Sequence, residues 1–245
     1  MQIRYYMSGF EPLRVFPDDL IEHFKRDIQK TDKIVYIPTD FSQKEKIEFY
    51  AKGLTDSFAK ANLIFSDIVI LNEEMTDKEM QEHINLANVI YLMGGNPTTQ
   101  LEIISKYNLE NSIRNTNAVV IGMSAGAMCM SKYSLMIPVS EKYSKTDIRP
   151  AMNLSNISIF PHYTSDGEVP EVLDNGRDEK IAKSDLLYLN QNYGDFYLIP
   201  DNSEIREQNG ELTFIGNNII FVSNGEFNII KNSVPKETEI FNHKK

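Results

Sequence analysis

Ala118-Val-Val-Ile-Gly-Met-Ser-Ala-Gly-Ala127 is the stretch on which the reading of this chain turns. Residues 118–121 are apolar and read as a buried strand, and residues 124–131 suit a helix. Between them Gly122-Met123-Ser124-Ala125-Gly126 has the G-x-S-x-G form in the setting it requires, strand, tight turn and helix. Such a turn holds its serine in a strained backbone conformation, with small neighbours that let the chain pass closely. The hydroxyl then points outward beside free backbone N–H groups, where developing negative charge is favoured. Ser124 is therefore the candidate nucleophile, and the N–H of Ala125 a first oxyanion donor. Taken without its setting, the pattern is short enough for Ser124 to be only a helix cap.

Upstream, short apolar runs alternate with helical patterns. Residues 34–37 (IVYI), 63–71 and 89–93 (VIYLM) read as strands, and 41–59, 76–86 and 97–106 as helices. Thr76 and Glu79 stand in capping-box positions, and Pro97 suits a first helical turn. This alternation predicts an α/β fold, a mostly parallel sheet flanked by helices in a flavodoxin-like three-layer sandwich. Sites in such sheets form at the carboxyl ends of the strands. Downstream the pattern changes. Residues 134–139, 157–160, 196–199, 212–215, 218–222 and 227–230 read as strands and 177–183 as a helix, with Asn209-Gly210 and Asn224-Gly225 as hairpin turns. These are expected to add C-terminal antiparallel strands to one domain spanning 1–245, with a loosely held tail at 236–245.

A second glycine turn, Tyr91-Leu-Met-Gly-Gly-Asn-Pro97, closes the preceding strand. In a parallel sheet with neighbouring strands it would lie beside the Ser124 turn. Gly95, with Gly94, is the candidate second oxyanion donor, and Gly94 and Asn96 are candidate substrate contacts. From this segment alone, a plain left-handed turn fits as well.

A serine nucleophile needs a base. The chain has four histidines, and His23, His83 and His243 fall in polar helical patterns or the tail. His162 directly follows the strand at 157–160 and Pro161 and is the candidate base. For the acid that orients it, Glu141, Asp147, Asp166 and Glu168 are all available. Glu141 is the first choice because it ends the 134–139 strand.

Composition narrows the setting. A net charge of −10 gives no basic footprint for nucleic acid or an anionic membrane. The single cysteine, Cys129, excludes an internal disulfide, and Cys clusters of the kind that bind zinc are absent from the sequence. No apolar run approaches a membrane span. A cytoplasmic protein, monomer or homodimer, is expected, with no metal or organic cofactor and a short peptide as substrate.

GMSAGA at 122–127, LMGGNPTTQL at 92–101 and FPHYTS at 160–165 together resemble the peptidase E (aspartyl dipeptidase) family, to which the cyanophycinases are distantly related. The resemblance covers roughly 34–183. It implies a class I glutamine amidotransferase-like fold with serine in place of cysteine at the elbow. It also implies Ser124 as nucleophile, His162 as base, and Gly95 and Ala125 as oxyanion donors. The expected reaction is cleavage after an N-terminal aspartate, and Arg177 resembles the family's arginine that pairs with the acidic side chain, although an ordinary exposed helical arginine fits that position as well. One departure concerns the acid. The family is expected to carry it shortly before a Met-Pro or similar pair, and here no carboxylate precedes Leu135-Met136-Ile137-Pro138. Glu141 as a substitute, a Ser-His dyad and a crippled, non-catalytic binding protein are the resulting alternatives. Cyanophycinase-like activity and an α/β-hydrolase-type esterase using His243 are two further rivals.

Overall fold

The amino-terminal half alternates β1 (Ile3–Met7), α1 (Asp18–Asp27), β2 (Lys33–Ile37), α2 (Lys44–Lys60), β3 (Asp67–Ile70) and α3 (Asp77–Asn85). It continues through β4 (Val89–Leu92), α4 (Pro97–Lys106), α5 (Glu110–Asn115), β5 (Val119–Met123) and α6 (Ala125–Met130). Then come β6 (Tyr133–Met136), β7 (Asp147–Pro150), β8 (Ile159–Tyr163), β9 (Val172–Asp174), β10 (Lys180–Ala182), α7 (Lys183–Tyr193) and β11 (Phe196–Pro200). The last strands are β12 (Glu204–Gln208), β13 (Glu211–Ile215), β14 (Ile219–Ser223) and β15 (Glu226–Ile230). The computed structural model describes residues 2–9, 16–29, 32–138, 144–163, 172–174, 180–216 and 218–230. The tail expected at 236–245 lies outside them.

Seven strands form the central sheet in the order β13-β12-β1-β5-β4-β2-β3. The five from β1 to β3 run parallel, and β12 and β13 extend one edge in antiparallel fashion. Parallel strands buried on both faces read as continuous apolar runs, because alternate residues serve opposite cores. Val35, Ile37, Ile90, Leu92 and Val120 enter one core with Met80 of α3, Ile104 of α4 and Ala127 and Met130 of α6. Ile34, Tyr36, Val89, Tyr91 and Ile121 enter the other with Leu20 and Phe24 of α1 and Leu54 and Phe58 of α2. Each Val, Leu, Ile, Phe or Met among them contributes about 1.5–3 kcal/mol when fully buried. The result is the three-layer arrangement that the strand–helix alternation predicts. Among the described residues, no helix is long and apolar enough to cross a membrane.

Two elements are missed by periodicity because their polar side chains are buried in pairs. In β12, Arg206 Nε lies 2.6 Å from Asp27 Oδ2, and Glu207 Oε2 lies 2.6 Å from Arg4 Nη1 of β1. Burial raises the Asp27 carboxyl, but hydrogen bonds from Arg206 and Tyr5 hold it below its usual range. The strand β1 and its neighbour β12 therefore carry charges that mask an apolar pattern.

The second half departs from expectation in two places. β8 and β11 pair in parallel, within a four-stranded sheet ordered β15-β14-β11-β8. The helix expected at 177–183 is instead strand β10 at its end, with Ile181 paired to Leu173, and α7 begins only at Lys183. Ile181 is buried with Leu186 and Leu189 of α7, so its apolar character serves the third core rather than a helical stripe. Both Asn-Gly hairpins form, with positive φ at Asn209, Gly210, Asn224 and Gly225.

The two elbow glycines are required by close packing. A Cβ on Gly122 would lie 2.6 Å from Gly126 C, and one on Gly126 would lie 2.7 Å from Leu92 C and closer still to Leu92 O. Both obstacles are backbone. Overpacking of this kind costs typically 1–3 kcal/mol, and Gly126→Ala is expected at or above the upper end. The thermal unfolding midpoint of Gly126→Ala should fall by roughly 6–12 °C for a domain of this size. A midpoint within about 2 °C of wild type would contradict the packing argument.

Candidate active site

The parallel order of β4 and β5 brings both glycine turns to the carboxyl edge of the sheet. Ser124 sits between β5 and α6 with φ 53° and ψ −110°, a conformation an L-residue rarely adopts. Its N–H donates to Met7 O at the end of β1 (2.9 Å), which ties the elbow to the neighbouring strand. Gly94 faces the elbow, since a Cβ there would lie 3.6 Å from Ser124 Cβ. Gly95 has φ 145°, and a Cβ on it would collide with Thr39 Oγ1. That position suits glycine alone and leaves its backbone uncovered. Asn96 has another task. Its side-chain oxygen caps α4, accepting from Thr98 N at 2.9 Å and Thr99 N at 3.4 Å.

His162 comes from β8. The register of β8 on β11 passes from Pro161↔Ile199 to Tyr163↔Pro200, so His162 is the extra residue of a β-bulge. Its φ is 61°. A bulge re-aims one side chain out of the regular alternation, and here it turns the imidazole toward the elbow. Ser124 Oγ and His162 Nε2 are 2.7 Å apart, and the imidazole is only 19% exposed. With Nδ1 carrying the ring proton, Nε2 is the acceptor for the serine hydroxyl.

The carboxylate at Nδ1 is Asp201, whose Oδ1 lies 2.7 Å away. Glu141, the expected acid, lies outside the described residues, as do Asp166, Glu168 and Arg177. Asp147 is engaged elsewhere, by Arg149 Nε at 2.8 Å and by Thr98 Oγ1. Asp201 directly follows β11, and parallel pairing of β11 with β8 places that strand end beside His162. Local spacing does not point to it, because it stands 39 residues beyond the histidine. The available signal was its position just past the strand read at 196–199, the carboxyl end at which α/β sites form.

Cys129, the one thiol, is fully buried in α6, and burial pushes its ionisation up, away from any reactive thiolate. Ser124, His162 and Asp201 together form the arrangement that supports nucleophilic acyl transfer.

The sequence model of Peptidase family S51 matches residues 10–215. The chain belongs to peptidase family S51. It is a serine-type peptidase, as the resemblance of its three motifs implied. A crystal structure of a peptidase from an acI-B1 Actinobacterium is similar, with a TM-score of 0.67, 17% identity and 94% of each chain covered. A protein of Listeria monocytogenes EGD-e described as a peptidase E gives a TM-score of 0.60 at 18% identity, over 87% of this chain and 98% of that one. At these identities the likeness concerns the fold, which is the class I glutamine amidotransferase-like one expected. No curated protein matches. The S51 match begins at residue 10, just beyond β1, and ends with β13.

Proposed function

We propose that this S51 peptidase hydrolyses short peptides, dipeptides with an N-terminal aspartate foremost, by acyl transfer through Ser124. The observation that carries the reading is the continuous chain Ser124 Oγ–His162 Nε2–His162 Nδ1–Asp201 Oδ1, with both hydrogen bonds at 2.7 Å. Ser124 Oγ attacks the peptide carbonyl carbon while Nε2 takes its proton. The negative charge on the carbonyl oxygen is met by the backbone N–H groups of Ala125 and Gly95. Collapse of the tetrahedral adduct breaks the C–N bond as the imidazolium returns the proton to the leaving amine. Water, deprotonated by the same imidazole, then releases the acid and restores Ser124.

The preference for aspartate rests on the family resemblance and on Arg177 as its partner. The non-catalytic reading drew on a missing acid, and Asp201 beside His162 takes that support away. An esterase using His243 is disfavoured because His162 already occupies the position next to Ser124. The proposed setting is a reducing cytoplasm, consistent with a single buried cysteine.

Hydrolysis of Asp-Leu, Asn-Leu and Ala-Leu tests the reading. Asp-Leu is expected to exceed Asn-Leu in kcat/KM by about tenfold or more, the worth of a charge-assisted pair. Equal rates on all three would remove the acidic-side-chain pocket. Silence on all three, with Ser124 still labelled by a fluorophosphonate, would point to another acyl substrate.

A further inference from the structure

The end of β1 and the two residues after it, which precede every sequence motif, touch each member of the site. Met7 O holds the N–H of Ser124. Ser8 is fully buried, and its Oγ accepts the backbone N–H of His162 at 2.7 Å. The same oxygen lies 3.2 Å from Asp201 Oδ1. A hydroxyl that accepts one hydrogen bond still has one proton to donate, and Asp201 Oδ1 stands within its reach. Gly9 completes the contact. Its carbonyl accepts the N–H of Asn202 at 2.7 Å. A Cβ on Gly9 would lie 2.8 Å from His162 Cε1 and 2.9 Å from Asp201 Oδ1, so any side chain there would drive the pair apart.

We infer that Ser8 is a positioning residue of the catalytic apparatus, acting on His162 and Asp201 at once through one hydroxyl. The bulge leaves His162 without a partner on β11, and Ser8 Oγ receives the N–H that the bulge displaces. This holds the backbone at its positive φ and so fixes where the ring projects. The hydroxyl proton goes to the same carboxylate oxygen that faces Nδ1, which selects Oδ1 as the imidazole's partner and stops the carboxylate rotating. Because the hydroxyl accepts from one group and donates to the other, its two bonds set the relative placement of two residues 39 apart in sequence. A displacement of about 1 Å in such a site can cost on the order of a hundredfold in rate.

The inference rests on the acyl-transfer mechanism proposed above, and its test separates the two. Wild type, Ser8→Ala, Asp201→Ala and the double variant are compared by kcat and KM on Asp-Leu and by the rate at which a fluorophosphonate labels Ser124. Ser8→Ala is expected to lower kcat and the labelling rate together by about ten- to a hundredfold. Its KM should stay within about twofold, since the hydroxyl is buried away from substrate. In the Asp201→Ala background the same change should cost less than about threefold, because the two residues act as one unit. If alanine prevents folding, Ser8→Cys, close in volume and a much weaker hydrogen-bonding group, is expected to show the same loss. Unchanged rates, a rise in KM alone, or an equal loss in both backgrounds would overturn the role assigned to Ser8 while leaving the mechanism standing. A wild-type protein whose Ser124 does not label would overturn the mechanism, and this inference with it.

Discussion

Ser124→Ala is expected to abolish peptide hydrolysis, lowering kcat by on the order of 10⁵–10⁶-fold, the loss typical when a serine peptidase loses its nucleophile. The substitution removes one partly exposed hydroxyl whose partner in the site is His162 Nε2. The N–H of Ser124 still reaches Met7 O in the variant, and alanine meets no worse strain at φ 53° than serine does. The thermal midpoint should therefore stay within about 2 °C of wild type, and substrate should still bind. Steady-state rates on Asp-Leu, with intact-mass detection of phosphonate labelling, check both halves. A variant that retains more than about a tenth of wild-type kcat would remove Ser124 from the mechanism.

The second large effect concerns the acid. Asp201→Ala should lower kcat by about 10³–10⁴-fold with KM little changed. In the proposed mechanism the carboxylate holds the proton on Nδ1, which leaves Nε2 free to accept from Ser124, and it stabilises the imidazolium formed as the serine attacks. Neither service is available from Asp147, which is held by Arg149 and Thr98. Glu141→Ala is the informative control and should leave kcat within about twofold. The reverse result, with Glu141→Ala inactive and Asp201→Ala active, would show that the acid comes from the 139–143 segment after all.

The elbow was legible because its whole signal is local. Ten residues specify strand, turn and helix, and the two glycines answer to backbone atoms at Leu92, Gly126 and Ala127 that the same fold must bring close. The GGN turn was legible for the same reason, and its place beside Ser124 followed from the parallel order of β4 and β5. His162 could be chosen from the sequence since the chain holds few histidines and only one follows a strand. Its geometry could not. Nothing in FPHYTS announces a bulge, which exists only as a shift in register against β11.

Charge obscured the rest. Arg4 in β1 and Arg206 and Glu207 in β12 read as surface until their partners are known, Glu207 for Arg4 across the sheet and Asp27 of α1 for Arg206. Hydrophobic periodicity reports a strand's two faces only where those faces differ in polarity, and buried ion pairs erase that contrast.

By itself, then, the sequence determined the layered α/β architecture and pointed to the candidate nucleophile, oxyanion turns and base, each written in a short run whose neighbours are its context. Tertiary structure alone decided that Asp201 is the carboxylate at His162 and that Ser8 and Gly9 brace the pair. Those contacts join residues 39 and 154 positions apart. Parallel pairing of β8 with β11, and the place of β1 between β5 and β12, bring them within hydrogen-bonding distance, and no local preference of the chain encodes that meeting.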